Sequence, residues 1–118
     1  MSERKPLIGI VGPCGAGKSS LLKGLQERGF QCRHIAQEHS YVPAMWQIIT
    51  KPDYLIYLNA SFEICTKRRE LNWKTKDYEE QLRRLAHSRS HASLVIETDQ
   101  LSVQEVLDNA LTFLNHIK

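Results

Sequence analysis

The chain has 118 residues, a formal net charge of +3 and 42% hydrophobic residues. That length holds one domain, with a core large enough to need no staples, and a charged fraction of 25% is too ordinary for a disordered tail protein. No apolar run approaches the ~18–20 residues that cross a bilayer, and Leu7–Val11 is too short to be the apolar stretch of a leader behind Met1–Pro6. Cys14, Cys32 and Cys65 fit neither a disulfide framework nor a common zinc spacing, so a reducing, cytoplasmic setting is expected. In that setting the glycosylation match Asn59-Ala60-Ser61 is a chance one.

In chain order, Leu7-Ile8-Gly9-Ile10-Val11 is apolar without alternation, as a strand buried on both faces would be. A glycine-rich turn follows. From Lys18 to Arg28, Leu21, Leu22 and Leu25 share a helical face, and Gly29 stands where that helix should end. Phe30 to Ala36 reads as a weaker strand. Val42-Pro43 is expected to open a short helix through Ile49, stopped by Lys51-Pro52. Tyr54–Leu58 is aromatic, β-branched and uninterrupted, the best strand signal after the first. Ser61 can cap a helix running to about Arg69, and Leu71–Lys76 is a polar break. Asp77, with Glu80 three residues on, is expected to start another helix. Leu94-Val95-Ile96 is a short strand. Ser102 and Glu105 form a capping box that opens a helix with Val103, Val106, Leu107, Ala110, Leu111 and Leu114 toward a core. Strands alternating with helices predict one α/β domain, a three-layer α/β/α sandwich with a parallel sheet of about four strands.

Gly12-Pro13-Cys14-Gly15-Ala16-Gly17-Lys18-Ser19 matches the Walker A pattern G-x-x-x-x-G-K-[ST] without a mismatch, between an expected strand and an expected helix. Glycines there let successive N–H groups turn inward around a phosphate, and the helix N-terminus adds partial positive charge. Lys18 would reach the β- and γ-phosphates, Ser19 would offer its hydroxyl to Mg²⁺, and Ser20 could donate to the α-phosphate. Cys14 fills a variable loop position, where a neighbouring helix N-terminus also favours thiolate chemistry.

With that loop placed, most of the chain resembles the nucleoside-monophosphate-kinase-like branch of P-loop NTPases, in a shortened form. Lys51–Ser61 is similar to the strand before the lid of thymidylate and adenylate kinases, and Lys67-Arg68-Arg69 to the helix leading into it. The resemblance implies the P-loop fold, with Arg68 stacking on adenine or clamping phosphates. It also implies that Thr98, Asp99 and the residues to Leu101 lie against the base. Arg68 and Arg69 are adjacent on a helix, so one of them at most is expected to face the phosphates.

Two features depart from that pattern. The strand Tyr54–Leu58 closes on Asn59 rather than on a carboxylate. In the family the acid often sits on the preceding strand instead, which makes Glu38 of Gln37–Tyr41 the candidate for a metal-bound water or a general base, with His39 near phosphate. Little chain is left to clasp an acceptor: Tyr41, Met45 and Trp46 can either stack a base or join the core, and the lid shrinks to Leu71–Lys76. Cys32 with His34, and His87 with His91, could each hold a metal, but no third ligand is near in sequence.

The expected activity is transfer of the γ-phosphoryl group of Mg²⁺-ATP, with GTP as an alternative, to a small acceptor such as a nucleoside monophosphate. Lys18, Arg68, Arg69 and Glu38 would be the reacting groups. The alternatives are acceptor-independent hydrolysis and a nucleotide-binding switch or partner-binding module. No membrane partner is expected, and the basic run Lys67–Arg89 lacks the interleaved aromatics of a nucleic-acid surface. A monomer and a homodimer both fit.

Overall fold

Four segments pair into one all-parallel sheet in the computed structural model, which describes residues 5–117. The expectation concerning a leader falls partly on Met1–Arg4, outside the described residues. The strands are β1 (Leu7–Val11), β2 (Gln31–His34), β3 (Tyr54–Asn59) and β4 (Leu94–Glu97), in the order β2-β1-β3-β4. Ile8 pairs with Cys32 on one side of β1, Ile10 with Ile56 on the other, and Leu58 with Ile96 beyond. The helices are α1 (Lys18–Glu27), α2 (Phe62–Arg69), α3 (Thr75–Ser90) and α4 (Val103–His116).

Because side chains alternate along a strand, a sheet without charged residues in its centre must be covered twice. Ile8, Ile10, Ile56, Leu58 and Ile96 pack with Leu21 and Leu25 of α1 and with Val106, Leu107, Ala110 and Leu114 of α4. Val11, Leu55 and Tyr57 pack with Trp46 and with Leu85 of α3. The expected α/β class and the helical cover on both faces therefore hold, and no helix among the described residues is long and apolar enough to cross a membrane.

Four local expectations need correction. The second strand is shorter than Phe30–Ala36, although the Ile35 N–H still reaches the Ile10 carbonyl. No helix opens at Val42: the Gln37 side chain accepts from the Trp46 N–H and donates to the Val42 carbonyl, tying that stretch into turns. Only a π-helical turn, Trp46–Thr50, follows. Helix α3 starts before Asp77, whose carboxylate instead reaches back to the Lys74 N–H. Val103 lies in the first turn of α4 and is 64% exposed rather than core. The Ser102–Glu105 capping box is present in both directions, 2.8 and 3.1 Å.

Candidate functional site

In a parallel sheet every strand delivers its chain to the same edge, and ligands gather where successive connections leave in opposite directions. Here β1 is that strand, with β2 on one side and β3 on the other. Beyond the carboxyl ends of the strands lies a cavity of about 510 Å³. Its wall takes Cys14 to Leu21 from the glycine loop and α1, His34, Glu38 and His39 from the end of β2, Arg68 and Arg69 from α2, and Leu101, Val103 and Val106 from the β4–α4 corner.

The loop is held by close approach. Gly12 has φ 156° and Gly15 φ 87°. A Cβ on Gly12 would stand 2.5 Å from the Leu58 carbonyl oxygen, and one on Gly15 only 2.6 Å from that of Cys65. The loop thus lies directly against β3 and α2. Lys18 folds back into it: its ammonium donates to the carbonyls of Gly12 and Pro13 and to Glu38 Oε2 at 2.8 Å. All its protons are therefore used. Lys18 is 6% exposed and Glu38 2%, so this is a buried ion pair. Glu38 Oε1 is buried and has no hydrogen-bond partner. Ser19 and Ser20, in the first turn of α1, line the same wall, where the helix leaves its first N–H groups without intrahelical partners.

Ser61 caps α2 by accepting from the Ile64 N–H at 3.2 Å, and the rings of Phe62, Trp73 and Tyr78 pack 5.9 Å apart, fixing the helix against the start of α3. Its last turn presents Arg68, whose guanidinium donates to Thr98 Oγ1 at 3.0 Å, to the Thr98 carbonyl at 2.8 Å and to the Ala16 carbonyl at 3.4 Å. Arg69, the last residue of α2, lines the cavity as well, so both arginines reach it rather than one.

Other expected residues sit elsewhere. Thr98 is fully buried, donates to the Asn59 carbonyl and grips Arg68, while Asp99 accepts from the Ser61 N–H at 2.9 Å. Neither forms the cavity wall; Leu101 does. Gly12 and Pro13 meet Lys18 through their carbonyls rather than facing the cavity. Cys32 is buried against α1, whereas His34 lines the cavity 4.0 Å from Glu38 Oε2. Partial burial, then the Lys18 ammonium, hold His34 below its usual value, against the pull of Glu38, so its imidazole is neutral at pH 7. His87 and His91 stack 4.3 Å apart, and His87 Nδ1 accepts from the Trp46 indole. Trp46 is core, and Tyr41 is exposed beneath the Arg84 guanidinium.

Sequence reasoning missed Gln81. From α3, its Oε1 accepts from the Cys14 N–H at 3.0 Å, and its Nε2 donates to Cys14 Sγ at 3.2 Å. One buried amide thus fixes both the backbone and the thiol of the loop. Nothing local marks such a residue, which reads as an ordinary polar position of a helix. In comparison with known proteins, no family model matches the chain and no curated protein matches it.

Proposed function

We propose that the chain is a P-loop NTPase of the nucleoside-monophosphate-kinase-like type, transferring the γ-phosphoryl group of Mg²⁺-ATP to a small acceptor. One observation carries this reading. The lysine of an unbroken G-x-x-x-x-G-K-S segment, following a central parallel strand, is buried at a carboxylate beside a cavity that two arginines also enter. Cation, backbone N–H groups and planar guanidinium groups converging on one edge suit a polyphosphate, whose transfer needs positioning and charge neutralisation rather than covalent chemistry.

In this reading Lys18 exchanges a loop carbonyl for phosphate oxygens, and the α1 N–H groups take the β-phosphate. Ser20 donates to the α-phosphate, and Arg68 with Arg69 balances charge on the transferring group. Ser19 and the unpartnered Glu38 Oε1 fit Mg²⁺, which takes oxygen ligands and keeps waters beside phosphate. Bound there, the ion would neutralise charge developing on the phosphates. Alternatively, with the ion held by Ser19 and phosphate oxygens, Glu38 would take the acceptor hydroxyl proton, or orient a water, through that same oxygen.

Hydrolysis without an acceptor is favoured by one further observation. Trp73, the large apolar residue of the shortened lid, donates its indole N–H to Thr66 at 2.6 Å and stacks on Phe62. That segment is pinned to α2 rather than free to cover the cavity, so water keeps access. ADP formation from Mg²⁺-ATP, with and without a panel of nucleoside monophosphates and small hydroxy compounds, separates the two. Acceptor-dependent ADP supports the kinase; acceptor-independent ADP, abolished in Lys18→Ala, supports the hydrolase. Absence of ATP binding by calorimetry would sink both.

A further inference from the structure

The loop cysteine stands in a cluster of metal-ligating side chains, Cys14, Glu38 and His39, of which the nucleotide reading uses only Glu38. Cys14 Sγ lies 3.5 Å from His39 Nε2, and His39 Nε2 lies 3.8 Å from Glu38 Oε2. A thiol sulfur, an imidazole nitrogen and a carboxylate oxygen thus stand together, all within 4.8 Å of one another. Tetrahedral zinc has bonds of about 2.3 Å to sulfur and about 2.0–2.1 Å to nitrogen, which puts those two ligand atoms roughly 3.5 Å apart. The observed sulfur–nitrogen spacing equals that edge, and the nitrogen–oxygen spacing exceeds its own by about half an ångström, within reach of a side-chain adjustment. The oxygen at that spacing, Oε2, already accepts from the Lys18 ammonium at 2.8 Å, but Glu38 is 2% exposed and its other oxygen, Oε1, has no partner, an independent sign of a ligand.

We infer that Cys14, His39 and Glu38 form a three-ligand site for a borderline-soft divalent cation, with Zn²⁺ as the best fit. Thiolate and imidazole select such an ion over Mg²⁺. Three protein ligands leave the fourth tetrahedral position open, and all three residues line the cavity, so that position faces an incoming anion or water. Gln81 supplies the supporting contact. Its Nε2–H points at the sulfur and its Oε1 holds the Cys14 backbone, which fixes the thiol toward His39. On binding, the Cys14 S–H bond breaks, its proton leaves to solvent, and a sulfur–zinc bond replaces a zinc–water bond; no electron is transferred. One consequence rests on the nucleotide reading: zinc on Glu38 occupies the carboxylate that Mg²⁺-ATP would need, so the two ligands exclude each other.

The test uses the full chain, freed of metal by chelation, titrated with Zn²⁺ against a chromophoric chelator. One ion per chain is expected, with about one proton released per ion near pH 7. Cys14→Ser and His39→Ala should each weaken binding beyond the ~10–100-fold typical of losing an outer contact, and Gln81→Leu should weaken it about 10-fold. His87→Ala should change nothing. With Co²⁺, a thiolate-to-metal charge-transfer band should appear and vanish in Cys14→Ser. Should a variant fail to fold, the unaltered chain still decides: Zn²⁺ must protect Cys14, located by mass spectrometry, from iodoacetamide. Zinc binding that survives Cys14→Ser, a shift of the site to His87 and His91, or no protection of Cys14 would overturn the inference. A parallel ATP titration keeps the readings apart. Zinc binding without ATP affinity removes the kinase and keeps the metal site, and the reverse result does the opposite.

Discussion

Gly15→Ala tests whether the glycine loop is fixed by its contact with α2. A Cβ there meets the Cys65 carbonyl oxygen at 2.6 Å and the Cys65 Cα at 2.9 Å, where ordinary contact begins at 3.4 Å. The loop and the helix backbone would have to part by roughly 0.8 Å. Gly17 is the matched control: its φ is 99° against 87° for Gly15, yet an added Cβ there meets nothing within 4 Å. Alanine at a left-handed position costs about 1–2 kcal/mol, offset by about 0.4–1 kcal/mol from the stiffened unfolded chain, so Gly17→Ala should lose about 1 kcal/mol. Gly15→Ala adds backbone crowding, which typically costs about 1–3 kcal/mol. Urea unfolding followed by tryptophan fluorescence measures both variants. The larger loss should come with a displaced α2, and so with weaker seating of Arg68 on Thr98 and Ala16. Equal losses at the two positions would refute the close approach as the cause.

Lys18→Met leaves Glu38 buried and uncompensated, and should cost about 3–5 kcal/mol. The double variant Lys18→Met, Glu38→Leu should recover part of that loss, and urea midpoints that fall further in the double variant would refute the pairing. Burial pushes the Cys65 thiol from 9.0 up to about 11 and the Tyr57 phenol from 10.0 to about 12. Both protons are held more tightly in the folded chain, so this stability is complete below pH 9 and falls above it. Each group then removes about 1.4 kcal/mol per pH unit until its folded value is reached. In Cys65→Ala the alkaline loss should be shallower between pH 9 and 11, with the part that remains from pH 9 carried by Cys32, whose buried thiol is also raised from 9.0, and a stability flat through about pH 11 would contradict the burial of both groups. Ser102→Ala removes the cap on the Glu105 N–H and should cost about 1 kcal/mol by the same unfolding assay, with no change in α1.

Much of this was legible locally. Leu7–Val11 announces a buried strand because nothing polar interrupts it, and Ser61 and Ser102 announce helix starts because caps act over three residues. Glu38 was legible only through family likeness, since no spacing marks a carboxylate that closes on a lysine 20 positions away. Other placements depended on partners remote in the chain. Gln81 meets Cys14 across 67 positions, and Thr98 turns inward because Arg68 and Asn59 engage both ends of it. The region after Val42 departs from its local helix signal for the same reason: Gln37 captures the Trp46 N–H, and helix propensity cannot anticipate a side chain that competes for a backbone donor.

The anchoring of Arg68 on Thr98 also sets an order of events in time. As the chain emerges from a ribosome, the glycine loop, Lys18 and Glu38 are available first, and β1, β2 and β3 can already associate. Arg68 follows on α2 without its main acceptors, which arrive only when β4 pairs along β3 and brings Thr98 to the Asn59 carbonyl. Nascent chains arrested before Leu94 would expose the glycine loop with a loose arginine. The cavity edge of this small domain therefore matures after its core has begun to form, with β4 as the latch.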